Sequence, residues 1–387
     1  MKNIPYGRQN ITENDIKVVV EALQGDFLTQ GPTIAEFEQK FAEYIGAKYA
    51  VALSNGTAAL HLCAMALGVN ETTNVITSPI TFVASANCVR YCGGNVFFAD
   101  IDPKMLTLDI KKVEDLILSK PEGFFSGIIP VDFAGYPVDL EAFRELAKKH
   151  KLWIIEDSCH SPGGFFIDKN NQKQPCGNGN FADLAIFSFH PVKHIACGEG
   201  GMITTNDKKL YDKLLLLRTH GITKNAALFS AENAETQGGW YYEMQELGYN
   251  YRLTDFQAAL GISQLARADK GLLRRKEIAE KYDNAFKNTN ITPAPAHIGH
   301  AYHLYVIQTH ERKELYDYLK ENNIFCQVHY IPVHLQPYYA SLGHKKGDFP
   351  LSENYYENCL SLPMFPTLTD EEQNYVIEKI LAFYAEK

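Results

Sequence analysis

Short apolar runs alternate with helix-sized segments through the first half of the chain. Each run has the length of a buried strand, and most of the intervals are long enough for a helix. This alternation predicts an α/β fold with a mainly parallel, seven-stranded sheet that is covered by helices on both faces. The runs are 49–54, 74–77, 96–101, 128–133, 153–157, 184–189 and 201–205.

The connection at 190–200 departs from that alternation. It shows no helical periodicity and is too short for the crossover that two parallel neighbours need, so it allows one strand of the pair to run antiparallel. In parallel sheets, ligands bind at the carboxyl ends of the strands. Asp157, Ser188 and Lys193 fall at or just after such ends, so we expect them to share one edge of the sheet.

The pattern changes after residue 206, which predicts a second, smaller domain. A polar segment at 222–239 is interpreted as a mobile or subunit-crossing loop, and Thr254 caps a helix that runs to about 268. We expect a large domain over 1–268, which includes the N-terminal segment and that loop, and a small α+β domain over 269–387. Beyond a helix at 207–217, the later predicted elements are a long helix from 270, strands at 303–309 and 325–330, and helices at 312–321, 352–360 and 370–385.

Composition excludes several classes of protein. Of the 387 residues 45% are hydrophobic and 21% are charged, as in soluble globular proteins, and the net charge of −9 leaves no basic footprint for nucleic acid or an anionic membrane. The N-terminus lacks an apolar signal segment and no apolar run could span a bilayer, which predicts a cytoplasmic protein. Eight cysteines without a C-x-x-C pair indicate reduced, mostly buried thiols, and neither disulfides nor a metal site.

Three residues at the predicted sheet edge form a combination that pyridoxal phosphate (PLP) enzymes need. Asp157 can keep the pyridine nitrogen protonated, Ser188 can bind the phosphate, and Lys193 can form a Schiff base with the aldehyde. Each has an ordinary alternative, since a loop lysine is usually a solvated charge, an aspartate can cap a helix and a serine can be a satisfied core hydroxyl. The glycine-rich turn at 198–201 lets the backbone pass close to a ligand, and together these features favour a PLP enzyme.

The segment 54–60 supplies further phosphate donors. A strand ends there, a glycine turn follows and a helix starts, so free N–H groups and the positive end of the helix dipole face the loop. An ordinary strand-turn-helix junction is the alternative interpretation. Phe82 follows the next strand, where a ring can stack on a flat cofactor. His160 and His329 are weaker site candidates, because a hydrogen-bonded structural histidine is the default for either.

One motif points to a different cofactor. Residues 177–182 fit G-x-G-x-x-A, the dinucleotide-binding fingerprint. They follow a polar run and lead into a strand, whereas the fingerprint needs a strand before it and a helix after it. The context therefore disfavours a nicotinamide enzyme.

Five longer strings carry a resemblance that extends from about residue 4 to the last helix. They are Ser54-Asn55-Gly56-Thr57, Glu156-Asp157-Ser158-Cys159-His160, Ser188-Phe189-His190-Pro191-Val192-Lys193, Gly248-Tyr249-Asn250-Tyr251-Arg252-Leu253 and Leu360-Ser361-Leu362-Pro363. In these strings the chain resembles the DegT/DnrJ/EryC1/StrS sugar aminotransferases. The resemblance implies a fold type I PLP-dependent transferase and a homodimer in which both chains build each active site. Ala196-Cys197 stands where that family has two threonines, which leaves the hydrogen bonding near the lysine loop in question.

The resemblance also implies roles for individual residues. Lys193 is the Schiff-base lysine, Asp157 the partner of the pyridine nitrogen, and Phe82 the ring under the cofactor. The implied phosphate-binding residues are Gly56, Thr57, Ala58, Ser188 and, from the other subunit, Asn250, with His160 as a further cofactor-binding candidate. The implied sugar-nucleotide-binding residues are Tyr6, Asp26, Phe27, Leu28, Thr29, Arg252, Gln327, Val328, His329 and Tyr330.

Four more strings, at 240–243, 327–334, 336–339 and 347–350, resemble members that act on one UDP-linked keto sugar. They imply that L-glutamate donates its amino group to C4 of UDP-2-acetamido-2,6-dideoxy-β-L-arabino-hexos-4-ulose, in pseudaminic acid synthesis, and leaves as 2-oxoglutarate. The alternatives are a transaminase acting at C3 or C4 of another nucleotide-linked keto sugar, a PLP-dependent sugar dehydratase, in which histidine replaces the lysine, and a non-catalytic relative.

Overall fold

Strands and helices alternate through most of the chain in the computed structural model, which describes residues 3–231, 237–287 and 289–385. The strands are β1 (Ile4–Pro5), β2 (Tyr49–Leu53), β3 (Asn74–Thr77), β4 (Asn95–Phe98), β5 (Gly127–Ile129), β6 (Trp153–Asp157), β7 (Phe165–Ile167), β8 (Lys173–Pro175), β9 (Leu184–Ser188), β10 (Gly201–Thr205), β11 (Ile222–Thr223), β12 (Glu243–Met244), β13 (Thr292–Pro293), β14 (Tyr305–Gln308), β15 (Ile324–Phe325) and β16 (Cys359–Leu362). The α-helices are α1 (Glu13–Gln24), α2 (Pro32–Ile45), α3 (Gly56–Ala66), α4 (Ala84–Tyr91), α5 (Ile110–Leu118), α6 (Leu140–His150), α7 (Lys208–Arg218), α8 (Asp255–Leu265), α9 (Ala268–Phe286), α10 (Arg312–Glu321), α11 (Pro337–Ala340), α12 (Pro350–Asn358) and α13 (Asp370–Ala385).

A seven-stranded sheet forms the centre of the described residues, in the order β2-β10-β9-β6-β5-β3-β4. Neighbours from β4 to β9 pair parallel, while β10 runs antiparallel to both β9 and β2. Hydrophobic clusters cover both faces, which is why the strands read as continuous apolar runs. The predicted α/β class, the mainly parallel sheet and the antiparallel strand after the Lys193 loop are confirmed.

The sheet delivers the central site candidates to one edge. Asp157 is the last residue of β6 and Ser188 is the last residue of β9. The loop that follows β9 carries Lys193, and α3 begins at Gly56, just after the end of β2. Because parallel strands end at the same edge, residues that lie far apart in sequence meet there.

The C-terminal part of the chain builds a second hydrophobic core. It is formed by α9, α10, α13 and the β13-β14-β16 sheet, with Tyr282, Leu319 and Ile380 among its buried side chains. Ile4 belongs to the same core, because β1 pairs in parallel with β15. We propose that the domain boundary lies near residue 268, with the N-terminal strand reaching across to the small domain.

Two predicted strands extend beyond the ends of the strands in the structure. β4 stops at Phe98 and β5 at Ile129, although the apolar runs continue to residues 101 and 133. Beyond these ends Val131 still forms an isolated parallel bridge to Asp157, while Ile101 and Phe133 pack together in a separate core cluster. Hydrophobicity alone does not distinguish a buried loop from a strand.

Two predictions in the small domain are wrong in part. The predicted strand 325–330 ends at Phe325, and residues 327–330 line a cavity. The predicted helix 352–360 ends at Asn358, where the chain turns into β16 and pairs antiparallel with β14. Cys359–Leu362 is wholly buried. A short buried strand has the same apolar residues as the last turn of an amphipathic helix, so the sequence does not distinguish the two.

The polar segment after α7 contains one described pairing. Ile222–Thr223 runs antiparallel to Glu243–Met244. Residues 232–236, which belong to the predicted mobile or subunit-crossing loop, lie outside the described residues. The crossing itself therefore stays a prediction.

The predicted burial of the cysteines is confirmed. All eight are free, and each is buried or half-buried. Burial raises the pKa of thiols such as Cys63 and Cys176 well above the usual range, which makes them unreactive. In the described ranges, the helices include none that is both long and apolar enough to cross a membrane.

Candidate active site

A cavity of about 900 Å³ lies at the carboxyl edge of the sheet and is lined on one side by residues 327–331. This volume suits a cofactor together with a small substrate. The predicted site residues that line it are Tyr6, Gly56, Thr57, Ala58, Phe82, Asp157, His160, Ser188, Lys193, Gln327, Val328, His329 and Tyr330.

Asp157 presents a buried carboxylate to this cavity. Its side chain is only 5% exposed, and its Oδ2 accepts a 2.6 Å hydrogen bond from the hydroxyl of Ser85 on α4. Its Oδ1 accepts the Cys159 backbone N–H at 3.2 Å. These donors stabilise the negative charge and fix the plane of the carboxylate. Asp157 is thereby prepared to receive a cationic N–H from a ligand.

Lys193 reaches the cavity from the loop between β9 and β10. Its Nζ lies 3.4 Å from Nε2 of His303. Burial lowers the pKa of Lys193 and the guanidinium of Arg275 lowers it further, against the opposing charge of Asp157. A lysine that loses its proton more readily is a better nucleophile and a better base.

The start of α3 lies at one end of the cavity and could hold an anion. Asn55 caps the helix, because its Oδ1 accepts the Ala58 N–H at 2.8 Å. The first N–H groups of a helix have no intrahelical partners, so those of Gly56 and Thr57 are free to bind a phosphate. A Cβ on Gly56 would lie 3.0 Å from Cβ of Ser188. Glycine therefore keeps open the gap that a phosphate needs between the helix and the serine.

Aromatic rings form another wall. Phe82 is 57% exposed, and its ring centroid lies 6.2 Å from that of Tyr330. The Tyr330 ring is nearly parallel to that of His160, with 6.2 Å between centroids. Flat faces of this kind suit a planar cofactor, although a ring contact of Phe82 with PLP stays a prediction.

The two weaker histidine candidates both line the cavity as neutral rings. Burial holds the pKa of His160 well below its usual range and lowers that of His329 to about 3. His160 Nδ1 accepts the Ala134 N–H at 3.2 Å, and His329 Nδ1 lies 2.8 Å from the hydroxyl of Ser361. Each ring thus has a structural hydrogen bond and still faces the cavity.

A buried acid pair lies directly behind Asp157. Carboxylate oxygens of Glu156 and Asp132 lie within 4.8 Å of each other, and neither residue lines the cavity. Burial raises the pKa of both, and repulsion between them raises that of Glu156 further. The pair therefore retains a proton, which we place on Glu156. Glu156 also accepts the Gly177 N–H at 2.9 Å, so this neutral acid anchors the end of β6.

The residues Ala196 and Cys197, which depart from the family pattern, are both buried. Cys197 packs in the core cluster that contains Phe187 and Phe189, and its N–H donates to the Phe189 carbonyl at 2.9 Å. This end of the lysine loop is therefore held by apolar packing and a backbone hydrogen bond.

Several predicted site residues lie away from the cavity within one chain. The segment 26–29 and Asn250 are exposed, and Arg252 lines a separate cavity of about 250 Å³ beside Arg218. A backbone hydrogen bond of 3.0 Å from Asp255 to Leu28 holds the two parts of the chain together. The residues concerned are Asp26, Phe27, Leu28, Thr29, Asn250 and Arg252, and their participation stays a prediction.

Sequence reasoning missed some polar side chains that the structure brings to the site. His303 faces Lys193, Ser85 donates to Asp157, and the hydroxyl of Tyr251 lies 3.1 Å from Nδ1 of His61 at the cavity wall. His303 had a usable signal, since it stands at the start of a predicted buried strand. Ser85 and His61 had none, because polar residues on helices are common.

The side chains present fit PLP. One cavity contains a lysine with a lowered pKa, a buried carboxylate and an open helix N-terminus, and glycine at position 56 leaves room at that end. These groups match the aldehyde, the pyridine nitrogen and the phosphate of the cofactor. The fold and the cavity together define a PLP-dependent transferase of fold type I.

Residues 9–381 match the DegT/DnrJ/EryC1/StrS aminotransferase family. The chain belongs to this family, and it is a PLP-dependent nucleotide-sugar aminotransferase.

Relatives from bacteria are similar over nearly their whole length. The spore coat polysaccharide biosynthesis protein SpsC of Bacillus subtilis is 39% identical, over 97% of this chain and 96% of its own. The UDP-4-amino-4,6-dideoxy-N-acetyl-beta-L-altrosamine transaminase of Campylobacter jejuni is 36% identical, over 98% of this chain and 97% of its own. The GDP-perosamine synthase of Escherichia coli O157:H7 is 34% identical over 100% of both chains.

Solved structures confirm the fold and the cofactor. PseC of Helicobacter pylori, an aminotransferase involved in the biosynthesis of pseudoaminic acid, superposes with a TM-score of 0.88 at 31% identity over 100% of both chains. The pyridoxamine phosphate form of the putative sugar aminotransferase Spr1654 from Streptococcus pneumoniae gives a TM-score of 0.90 at 30% identity, over 99% of this chain and 100% of that chain.

Proposed function

We propose that this protein transfers the amino group of L-glutamate to C4 of UDP-2-acetamido-2,6-dideoxy-β-L-arabino-hexos-4-ulose. The product is UDP-4-amino-4,6-dideoxy-N-acetyl-β-L-altrosamine, an intermediate of pseudaminic acid synthesis. The observation that carries the proposal is the single cavity in which Lys193 and Asp157 meet the open end of α3. Similarity to the Campylobacter transaminase over 98% of the chain supports the choice of sugar.

Lys193 and Asp157 divide the chemistry. PLP, when bound, supplies the electron sink that allows a proton to leave Cα of the amino donor. Lys193 moves that proton, since its neutral amine accepts it from Cα and later releases it. The lowered pKa of Lys193 favours this neutral form. Asp157 keeps the pyridine nitrogen protonated, and both amino-transfer steps require that charge.

The cofactor phosphate is assigned to the end of α3. The N–H groups of Gly56 and Thr57, with Ala58 behind them, form the helix side, and the Ser188 hydroxyl forms the sheet side. Positive helix ends and N–H donors suit a phosphate dianion. A phosphate held by these groups would anchor the cofactor in the cavity that Lys193 lines.

The sugar nucleotide is assigned to the wall formed by the small domain and the N-terminal segment. The rings of Tyr6 and His329 lie 5.2 Å apart there, next to Tyr330. Gln327 and Val328 line the same side. These groups provide aromatic faces and neutral hydrogen-bonding atoms, which suit a hexose and a pyrimidine base more than a charged group.

We further propose a homodimer whose second chain completes the site. Within the described residues the cavity lining contains one lysine, Lys193, and no arginine, whereas the substrate carries a diphosphate and the cofactor a phosphate. Arg252 and Asn250 lie outside the cavity of their own chain. In the segment that bridges through Thr29 to Thr254, the apolar side chains of Phe27 and Leu28 are 55% and 52% exposed, a surface that a second copy can cover.

We also propose that the protein works in the cytoplasm. Its eight cysteines are free, and a reducing compartment keeps thiols in that state. Cell fractionation against a cytoplasmic marker tests this placement.

A second candidate function is amination of another nucleotide-linked keto sugar. The full-length similarity to GDP-perosamine synthase favours this possibility, at 34% identity. A dehydratase is disfavoured, because the chain has Lys193 where the dehydratases of this family have histidine. A non-catalytic role is disfavoured by the presence of Lys193, Asp157 and the phosphate-binding end of α3 in one cavity.

The deciding experiment presents the purified protein with L-glutamate and a panel of UDP-, dTDP- and GDP-linked keto sugars, and product structures are read by NMR. The proposal expects the highest kcat/KM for the UDP-linked 4-keto sugar and a 4-amino product of L-altro configuration. A higher kcat/KM for another member of the panel would replace it with the second candidate. The Lys193→Ala variant, purified in parallel, controls for contaminating transaminases.

A further inference from the structure

His303 contacts the amine of Lys193 inside the cavity. The side chain is buried, and its Nε2 lies 3.4 Å from Nζ of Lys193. We propose that His303 is a positioning residue, which donates a hydrogen bond from Nε2 to the lone pair of Lys193 and so holds the lysine as a neutral amine. This inference rests on the proposed function, because a lysine that accepts the proton from Cα must be in that form.

The second ring nitrogen decides the direction of this hydrogen bond. Nδ1 of His303 is buried, and no group in the described part of the chain bonds to it. A buried N–H without an acceptor is rare in proteins, so we place the ring proton on Nε2 and leave Nδ1 bare. Burial holds the pKa of His303 well below its usual range. A neutral ring protonated on Nε2 donates to Lys193, and only an unprotonated amine has the lone pair to accept.

The backbone next to His303 is strained in a way that holds the ring in place. Tyr302 has a φ of 48°, in the left-handed region that residues other than glycine rarely adopt. Its N–H donates to His300 Nδ1 at 2.8 Å, and the two rings stack with centroids 3.9 Å apart. Buried Arg275 donates through Nη1 to the carbonyls of Tyr302 and His303, at 3.1 and 3.2 Å. These contacts fix the direction in which the His303 side chain extends from the backbone.

Gly135 leaves space for the backbone of Tyr302 and His303. Its φ is 98°, and a Cβ there would lie 2.8 Å from the backbone nitrogen of Tyr302 and 3.1 Å from that of His303. The Gly135 carbonyl accepts the Ala301 N–H at 2.8 Å. The segment that carries His303 is therefore tied to the sheet edge as well as to the small domain.

Other groups face Lys193 without bonding to it. Besides His303, the titratable and charged groups around its amine are Asp157, Cys159, His160, His194, Arg275 and His329. Among the described residues, His303 provides the hydrogen-bond contact to Nζ. Burial alone also lowers the pKa of Lys193, but burial does not depend on the Nε2 proton of His303. A variant that lacks the Nε2 proton of His303 but keeps the cavity apolar therefore separates the effect of the hydrogen bond on the pKa of Lys193 from the effect of burial.

The test measures the titration of Lys193 without turnover. The cofactor-free, full-length protein is treated with trinitrobenzenesulfonate over a range of pH, and modification of the Lys193 peptide is quantified by mass spectrometry. In His303→Phe the midpoint should move to higher pH, so that modification near neutral pH slows about fivefold, the effect of one lost hydrogen bond. His303→Gln, whose amide can donate from a similar position, should restore most of the rate. The midpoint of the profile, unlike its maximum rate, does not depend on access of the reagent.

His194→Asn is the matched control. His194 is a buried imidazole whose ring centroid lies 5.8 Å from that of His303, and its Nε2 bonds to the Ala301 carbonyl at 2.8 Å. The proposal expects a wild-type midpoint in this variant. An equal shift in His194→Asn, an unshifted midpoint in His303→Phe, or no restoration by His303→Gln would each overturn it. If circular dichroism shows that His303→Phe is unfolded, His303→Leu takes its place.

A second readout uses the loaded enzyme. In His303→Phe the acid limb of the pH profile for the glutamate half-reaction should move to higher pH, since Lys193 must be neutral to accept the proton. The two failures are distinguishable: a protein that aminates the UDP-linked sugar but shows no shift in His303→Phe refutes only this inference. A shifted midpoint in a protein that aminates no sugar refutes only the proposed function.

Discussion

Two groups of predicted site residues are placed by the fold in different ways. The inner group consists of Asp157 and Ser188, which end strands of the central sheet, and Lys193, which they meet in one cavity. The outer group consists of the segment 26–29 and Asn250, which are exposed, and Arg252, which lines a different cavity. The comparison teaches that a parallel sheet can assemble the chemical centre within one chain, while the groups for an anionic substrate are left, as we propose, to assembly of two chains.

The two groups also differ in how firmly the backbone holds them. Asp157 is fixed by the parallel pairing of β6 with β9 and by a 2.9 Å hydrogen bond from its N–H to the Pro130 carbonyl. The outer group is held by isolated bridges, Thr29 to Thr254 and Thr219 to Asn250. Paired strands hold a catalytic group more rigidly than isolated bridges do. Segments held only by isolated bridges can adjust their position when a second chain binds.

The largest effect is expected at Lys193. Lys193→Ala should abolish formation of the 4-amino sugar, because it removes both the covalent attachment to the cofactor and the base at Cα. The fold should persist, since a loop lysine contributes little to a core, and circular dichroism and thermal unfolding check this. Lys209→Ala, at an exposed position of α7, should retain wild-type turnover.

The same residue can be identified chemically. Borohydride reduction of the yellow, cofactor-loaded protein should attach the cofactor to one peptide, which contains Lys193. Attachment at another lysine, or a colourless protein after addition of PLP, contradicts the assignment of the inner group.

The second largest effect is expected at Asp157. Asp157→Asn keeps the shape of the side chain and removes the charge that holds the pyridine nitrogen protonated. The barrier to amino transfer should rise by several kcal/mol, about the cost of breaking a buried ion pair. A helix-capping role predicts the opposite, because asparagine caps as well as aspartate. Glutamate-dependent formation of pyridoxamine phosphate separates the two, and near wild-type rates in the Asn variant would falsify the catalytic role.

An intermediate effect tests the outer group. Lys193→Ala and the double variant Asn250→Ala, Arg252→Ala should each be inactive, one for lack of the base and the other for lack of phosphate and substrate contacts. If the outer residues act across a dimer, mixing the two should restore roughly a quarter of the wild-type activity, since random pairing gives half the dimers one intact site. Mixtures that stay inactive, or a fully active monomer at low concentration, contradict the assembly of the site from two chains.

The inner group could be predicted from the sequence, and the reason is local. The apolar runs that end at Asp157 and Ser188 are continuous because both faces of a parallel strand are buried. A polar residue at the end of such a run stands out against its neighbours. The glycine turn before α3 is visible for the same reason, since Gly56 starts a helix directly after a strand.

Other parts could not be predicted, because the contacts that decide them are distant in sequence. Gln327–Tyr330 has the alternation of a strand, yet only Gln327 bridges to Ser361, and the residues after it turn to the cavity. His303 and Lys193 are separated by 110 residues in sequence and meet only in the folded structure. We propose that the outer group acts through a second chain, and no pattern within one chain can position the residues of another.

The smallest effect is expected at Glu156, the residue before Asp157. Glu156 is buried beside Asp132, and burial raises the pKa of both. As pH rises from the unfolded pKa, the unfolded chain loses protons that the folded pair retains, so the free energy of unfolding falls until the pH reaches the folded pKa. Glu156→Gln removes one of these titrations and keeps a donor for Asp132. The fall with rising pH should become shallower, and stability at neutral pH should change by about 1 kcal/mol or less.

This variant sharpens the comparison because it makes the same acid-to-amide change as Asp157→Asn at the adjacent position. Urea unfolding at several pH values gives the stability, and pyridoxamine phosphate formation gives the half-reaction rate. Glu156→Gln should react at close to the wild-type rate, since Glu156 is already uncharged and does not line the cavity. A loss as large as that of Asp157→Asn would show that the charge of Glu156 supports the site, and the distinction between the cavity-facing acid and the structural acid would then fail.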